Sequence, residues 1–124
     1  MAEPEGAAGW LTTHVLDTAL GVPARNLRFE LFRLENGRRE RLGSFRTNLE
    51  GRSEGPLLLG SAFRVGVYEL TFHVGEYLRT QGHAYAEPLF LDEVPIRFAV
   101  SDPGAHVHVP LLISPFGYTT YRGS

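Results

Sequence analysis

Ala105-His106-Val107-His108-Val109-Pro110-Leu111-Leu112-Ile113 carries the clearest structural signal in the chain. Side chains on a strand alternate between faces, so Val107, Val109, Leu111 and Ile113 share one side and can supply core. His106, His108, Pro110 and Leu112 share the other side. Pro110 cannot donate to a ladder, so the strand runs at a sheet edge or turns that nitrogen away from a partner. A face of imidazole, proline and leucine is neither clean core nor clean solvent surface. It suits a subunit contact or a shallow cleft, and it also fits two histidines simply exposed on an outer sheet face.

The same period recurs on both sides of this stretch. Leu11-Thr12-Thr13-His14-Val15-Leu16-Asp17 puts Leu11, Thr13 and Val15 on one face, with Thr12, His14 and Leu16 on the other. Leu27, Phe29 and Leu31 alternate with Arg28, Glu30 and Phe32. Asn36-Gly37 then supplies positive φ for a hairpin turn, with a return strand over Arg41 to Thr47 and a loop over Asn48 to Arg52. Tyr68, Leu70, Phe72 and Val74 define a further strand over Val65 to Val74. From Gly75 to Gln81 the alternation is lost among helix formers, and Gly82 is placed to stop one short helix. Ile96, Phe98 and Val100 form a strand ended by Ser101-Asp102-Pro103-Gly104, and Gly117 to Arg122 reads as the last strand. Short strands separated by turn residues make this an all-β sandwich with one short helix.

Composition limits what such a domain does. With 124 residues, 43% hydrophobic and 21% charged, the chain has room for one core. A net charge of −2 leaves no basic excess for nucleic acid, and no stretch is apolar for long enough to cross a bilayer. Cysteine is absent, which excludes disulfides, a thiol nucleophile and thiolate metal sites. Residues 1–8 are small and acidic, lack the pattern of a secretion signal and read as a disordered tail before a domain over 9–124. A cytoplasmic location fits these features.

Alternate histidines on a strand can share an ion, so His106 and His108 also admit a metal reading. Two ligands are too few for a tight site, and nothing in the spacing selects a third from His14, His73 or His83. His73 and His83 otherwise read as background. The β-forming end, Gly117-Tyr118-Thr119-Thr120-Tyr121-Arg122-Gly123-Ser124, suggests a terminus held in place, with Tyr121 or Arg122 facing a ligand. An edge strand with an ordinary surface arginine is the plainer alternative.

Four separated motifs together resemble the 5-hydroxyisourate hydrolases, the enzymatic relatives of transthyretin. Leu11 to Asp17 with Gly21-Val22-Pro23-Ala24 resembles the family's opening. Thr47-Asn48-Leu49-Glu50-Gly51-Arg52 resembles its Thr-Asn-x-Asp-Gly-Arg loop, with Glu50 where aspartate is usual. His106 to Pro115 resembles its His-Tyr-His-Val-Pro strand, with Val107 in the tyrosine position and pointing away from the histidines. Tyr121-Arg122-Gly123-Ser124 resembles the tetrapeptide that separates these enzymes from hormone-carrying transthyretins.

The resemblance implies a transthyretin-like (prealbumin-like) sandwich, a homotetramer built as a dimer of dimers, and active sites in the cleft between dimers. It implies a hydrolase that opens the ring amide of 5-hydroxyisourate in urate breakdown, without cofactor or metal. Carried over by motif, the site comprises His14, Arg52, His108 and Tyr121, with His106 and Ser124 in support. A neutral imidazole accepts a proton from water near neutral pH. That role falls to His108, with His14 orienting the water or relaying the proton, and the two roles are interchangeable. The Arg52 fork suits substrate carbonyls and developing negative charge. Tyr121 adds a hydrogen bond or walls the pocket. A non-catalytic carrier of a small aromatic ligand is the alternative use of the same cleft.

Overall fold

The computed structural model describes residues 9–82 and 85–124. The tail expected over 1–8 and the background histidine His83 lie outside the described residues. The strands are β1 (Trp10–Asp17), β2 (Val22–Pro23), β3 (Arg28–Glu35), β4 (Arg38–Arg46), β5 (Leu58–Leu59), β6 (Gly66–His73), β7 (Glu93–Val100), β8 (His106–Ser114) and β9 (Gly117–Thr120). One α-helix, α1, covers Val74–Thr80, and a 3₁₀ turn not expected from the sequence covers Gly60–Ala62. Among the described residues no helix is long and apolar enough to cross a membrane.

Two sheets form the sandwich. One runs β2-β1-β8-β9, with β5 paired to the start of β1; the other runs β4-β3-β6-β7. Alternation decides what lies between them. Leu11 and Val15 of β1 and Val107, Val109, Leu111 and Ile113 of β8 face Phe29, Leu31, Tyr68, Leu70 and Phe72 of the opposite sheet, all buried. At roughly 1.5–3 kcal/mol for each large apolar side chain removed from water, this layer dominates the stability. Thr13 joins the buried face because its hydroxyl donates to the Val109 carbonyl at 2.6 Å.

Most sequence expectations hold, with differences at strand ends. Asn36 (φ 53°) and Gly37 (φ 74°) make the two-residue turn between β3 and β4, and the return strand starts at Arg38 rather than Arg41. The register of β3 against β4 shifts between Leu31 and Phe32, and both Phe32 and Arg33 are buried, so strict alternation ends there. Arg33 is satisfied by the Tyr68 hydroxyl and the Val65 carbonyl, to both of which it donates. Helix α1 buries Val74, Tyr77 and Leu78, and Gly82 (φ 78°) follows its end. The Tyr77 hydroxyl donates to Asp17 at 2.8 Å and ties the helix to the end of β1.

The placement of Pro110 corrects the expectation of an edge strand or of a nitrogen turned away from a partner. Strand β8 is interior, flanked by β1 and β9, so it is not an edge. The Pro110 carbonyl accepts from the Thr120 hydroxyl at 2.8 Å, so its nitrogen also faces the β9 side. The ladder with β9 stops at the Leu111–Thr120 pair, because Pro110 has no N–H to continue it. The final strand therefore ends at Thr120 instead of Arg122. The chain returns once, at Gly123, whose N–H donates to the His108 carbonyl at 2.8 Å.

Candidate active site

The site rests on one register that the sequence does not reveal. Strands β1 and β8 are parallel neighbours, pairing Trp10 with His106, Thr12 with His108 and His14 with Pro110. The polar faces of the two motifs thereby become one continuous outer surface. His14 and His108 bring their ring centroids within 6.5 Å, tilted by 34°. That span suits one water or one substrate group held between the rings.

Arg52 reaches this surface through a loop whose sequence dictates its shape. Thr47 donates its hydroxyl to the Ala24 carbonyl and accepts from the Leu27 N–H, fixing the loop's start. The Asn48 side-chain oxygen accepts from the N–H groups of Glu50 and Arg52 at 2.8 and 3.0 Å, closing the turn. Gly51 has φ 76°, and a Cβ there would strike the Val15 carbonyl oxygen, so glycine is required. The loop then runs along β1: Val15 N–H donates to the Gly51 carbonyl, Ser53 N–H donates to the Thr13 carbonyl, and Arg52 bridges to His14. Glu50 contributes its backbone to this turn, so exchange of aspartate for glutamate leaves the loop geometry intact.

Electrostatics favour neutral rings. Burial lowers the pKa of His14 below the ordinary histidine value, helped by the Arg52 charge and opposed by the Glu50 carbonyl and carboxylate. Burial also lowers His108, and the neighbouring His106, Arg52 and His14 act in the same direction by opposing a further positive charge. Both imidazoles are thus basic lone pairs near neutral pH, the state a proton acceptor needs.

The remaining candidates occupy distinct places. His106, His108, Arg52 and Ser124 line one groove of about 220 Å³ with Thr12 and Ser53. Tyr121, 58% exposed, lines a second groove with Phe98, Arg122 and His108, so His108 stands between the two. His73 lies on the other sheet, bonded to Glu30 at 2.8 Å. Nitrogens of His106 and His108 both point at the Thr12 hydroxyl, at 2.7 Å each. Among the described residues no three His, Cys, Asp or Glu side chains gather as a metal site.

Three contributors were not singled out from sequence. Thr12 bridges the histidines, Trp10 stacks on His106 at 4.6 Å, and Gly123 lies against His108. Alternation does place Trp10 and Thr12 on the face of His14; the missing information is the β1–β8 register.

A two-sheet sandwich with a short helix and a His–Arg–His surface on one outer face defines a transthyretin-like protein with equipment for acid–base chemistry. The chain belongs to the HIUase/Transthyretin family, whose profile matches residues 11–123. It is 53% identical over 117 residues to 5-hydroxyisourate hydrolase 2 of Rhizobium meliloti, covering 94% of this chain and 98% of that protein. The solved structure of Klebsiella pneumoniae 5-hydroxyisourate hydrolase superposes with a TM-score of 0.72 at 33% identity, covering 94% of this chain and 99% of that one. The crystal structure of (S)-allantoin synthase superposes with a TM-score of 0.89 at 48% identity; it covers 94% of this chain, which spans only 44% of that longer protein.

Proposed function

We propose that the chain is a hydrolase that opens the ring amide of 5-hydroxyisourate, giving 2-oxo-4-hydroxy-4-carboxy-5-ureidoimidazoline in urate catabolism. The observation carrying this reading is the convergence of His14, Arg52 and His108 on one outer face, with the two rings 6.5 Å apart. Near-full-length similarity to proteins named for this activity supports the same substrate.

Water attacks the ring carbonyl carbon while His108 accepts its proton through Nε2. Arg52 donates to the carbonyl oxygen as that oxygen gains negative charge. The tetrahedral species collapses, the C–N bond breaks, and the leaving nitrogen takes the proton from His108. His14 orients the water, Tyr121 binds substrate, and His106 and Ser124 support the site. No metal or other cofactor enters this scheme, so EDTA is expected to leave the rate unchanged.

The assembly is a homotetramer, a dimer of dimers, in the cytoplasm. Its support is the open groove beside His108, lined by the exposed Tyr121, and the exposure of Phe116 and Tyr118 farther along the same hairpin, which suit surfaces covered by a neighbour. Purified protein mixed with freshly generated 5-hydroxyisourate should speed the loss of its absorbance far beyond the spontaneous rate. Tight binding of the compound without consumption would favour the carrier reading instead. Sedimentation velocity and cell fractionation test the assembly and the location.

A further inference from the structure

We infer that Thr12 is a positioning residue that holds His108 with its proton on Nδ1 and couples it to His106. The inference rests on the hydrolase reading and deepens it. The Thr12 Oγ1 lies 2.7 Å from His108 Nδ1 and 2.7 Å from His106 Nε2. A hydroxyl has one proton and can donate to one ring only. The other contact is a hydrogen bond only if that ring brings its own N–H. At least one of the two facing nitrogens is therefore protonated.

Their surroundings choose which one. His106 is exposed, and its plane is fixed by stacking on Trp10 at 4.6 Å and 15°. Its other nitrogen reaches solvent, so either tautomer suits it. His108 is half-buried, with the Arg52 guanidinium from the loop as the fixed cation near it and the rings of His106 along its own strand and His14 from β1 beside it. Asp102, Arg122 and Tyr121 border it from the second groove, and Ser124 borders it from the first. A neutral His108 has one proton, and Nδ1–H donating to Thr12 leaves Nε2 bare as the base. The Thr12 hydroxyl then donates to His106. When Nε2 takes a proton from water, this chain of two hydrogen bonds spreads the new charge toward the exposed ring and away from Arg52.

Long-range ¹H–¹⁵N correlation of ¹⁵N-histidine-labelled protein reads the tautomer directly. Neutral His108 is expected as the Nδ1–H form in the wild type. Thr12→Val keeps the side chain's shape and removes the hydroxyl. It should mix the His108 tautomers and lower kcat roughly tenfold to a hundredfold, the range for losing an orienting partner, with KM nearly unchanged. Thr12→Ser should restore both the tautomer and kcat. His108 as the Nε2–H form in the wild type, or a Thr12→Val variant with unaltered tautomer and kcat, would overturn the inference. If Thr12→Val does not fold, the wild-type tautomer decides alone. A wild-type protein that leaves 5-hydroxyisourate untouched refutes the hydrolase reading, while the tautomer still tests Thr12.

Discussion

Replacing Gly123 by alanine is expected to disable the enzyme from a position that bears no reactive group. A Cβ at Gly123 would lie 2.7 Å from His108 Cδ2 and 3.1 Å from Pro110 Cγ. Ordinary contact begins near 3.4 Å, so the ring and the tail must part by about 0.7 Å. The ring is held on its other edge by Thr12 at 2.7 Å, so this movement stretches a hydrogen bond or displaces Nε2. If the tail moves instead, the Gly123–His108 backbone bond at 2.8 Å is lost and Ser124 leaves the groove. Misplacement by about 1 Å at a reacting centre costs on the order of 10²-fold in rate, so a loss of roughly tenfold to a hundredfold in kcat is expected. The terminal residues lie outside the core, so thermal unfolding should hardly move. Stopped-flow decay of 5-hydroxyisourate absorbance gives the rate, and calorimetry gives the stability. A Gly123→Ala variant with wild-type kcat would refute the claim that the terminus sets the position of His108.

Arg52→Ala should fold normally and lose on the order of 10²-fold or more in turnover, with Arg52→Lys recovering only part, because an ammonium lacks the planar fork; equal rates for arginine and lysine would contradict this. The lowered pKa values of His14 and His108 predict ring titration midpoints below about 6.5 by NMR, and Arg52→Ala should move both upward by removing a cation. Since these rings bind fewer protons folded than unfolded, their contribution to stability is present above about pH 6.5 and is lost as pH falls through the folded midpoints, visible as a falling urea midpoint. Leu70→Ala, at a fully buried position remote from the site, should lower stability by about 2–5 kcal/mol in chemical denaturation while leaving turnover of the folded protein intact.

The elements were largely legible because each depends on local chemistry. Alternation at Leu11–Asp17 and His106–Ile113, the Asn36-Gly37 turn and the Gly82 stop all express preferences of the residues themselves. Strand ends were less legible, since Thr120 ends β9 only because Pro110, ten residues earlier, cannot extend the pairing. The bulge after Leu31 likewise reflects fitting Phe32 and Arg33 between neighbours. For the site, faces could be read and pairings could not: the side-by-side placement of Thr12 and His108 comes from a parallel pairing across 96 residues of chain. The loop motif names Arg52 as a candidate, and its bridge to His14 depends on backbone bonds along β1 that no local pattern encodes.

The proposed hydrolysis of 5-hydroxyisourate at the His14–Arg52–His108 surface requires His108 to accept the proton from water. The direct measurement is the single-turnover decay of freshly generated 5-hydroxyisourate with wild-type protein and with His108→Ala. Rapid loss is expected with the wild type, and a reduction on the order of 10²-fold or more in a variant that remains folded. Equal decay rates for the two proteins would contradict it.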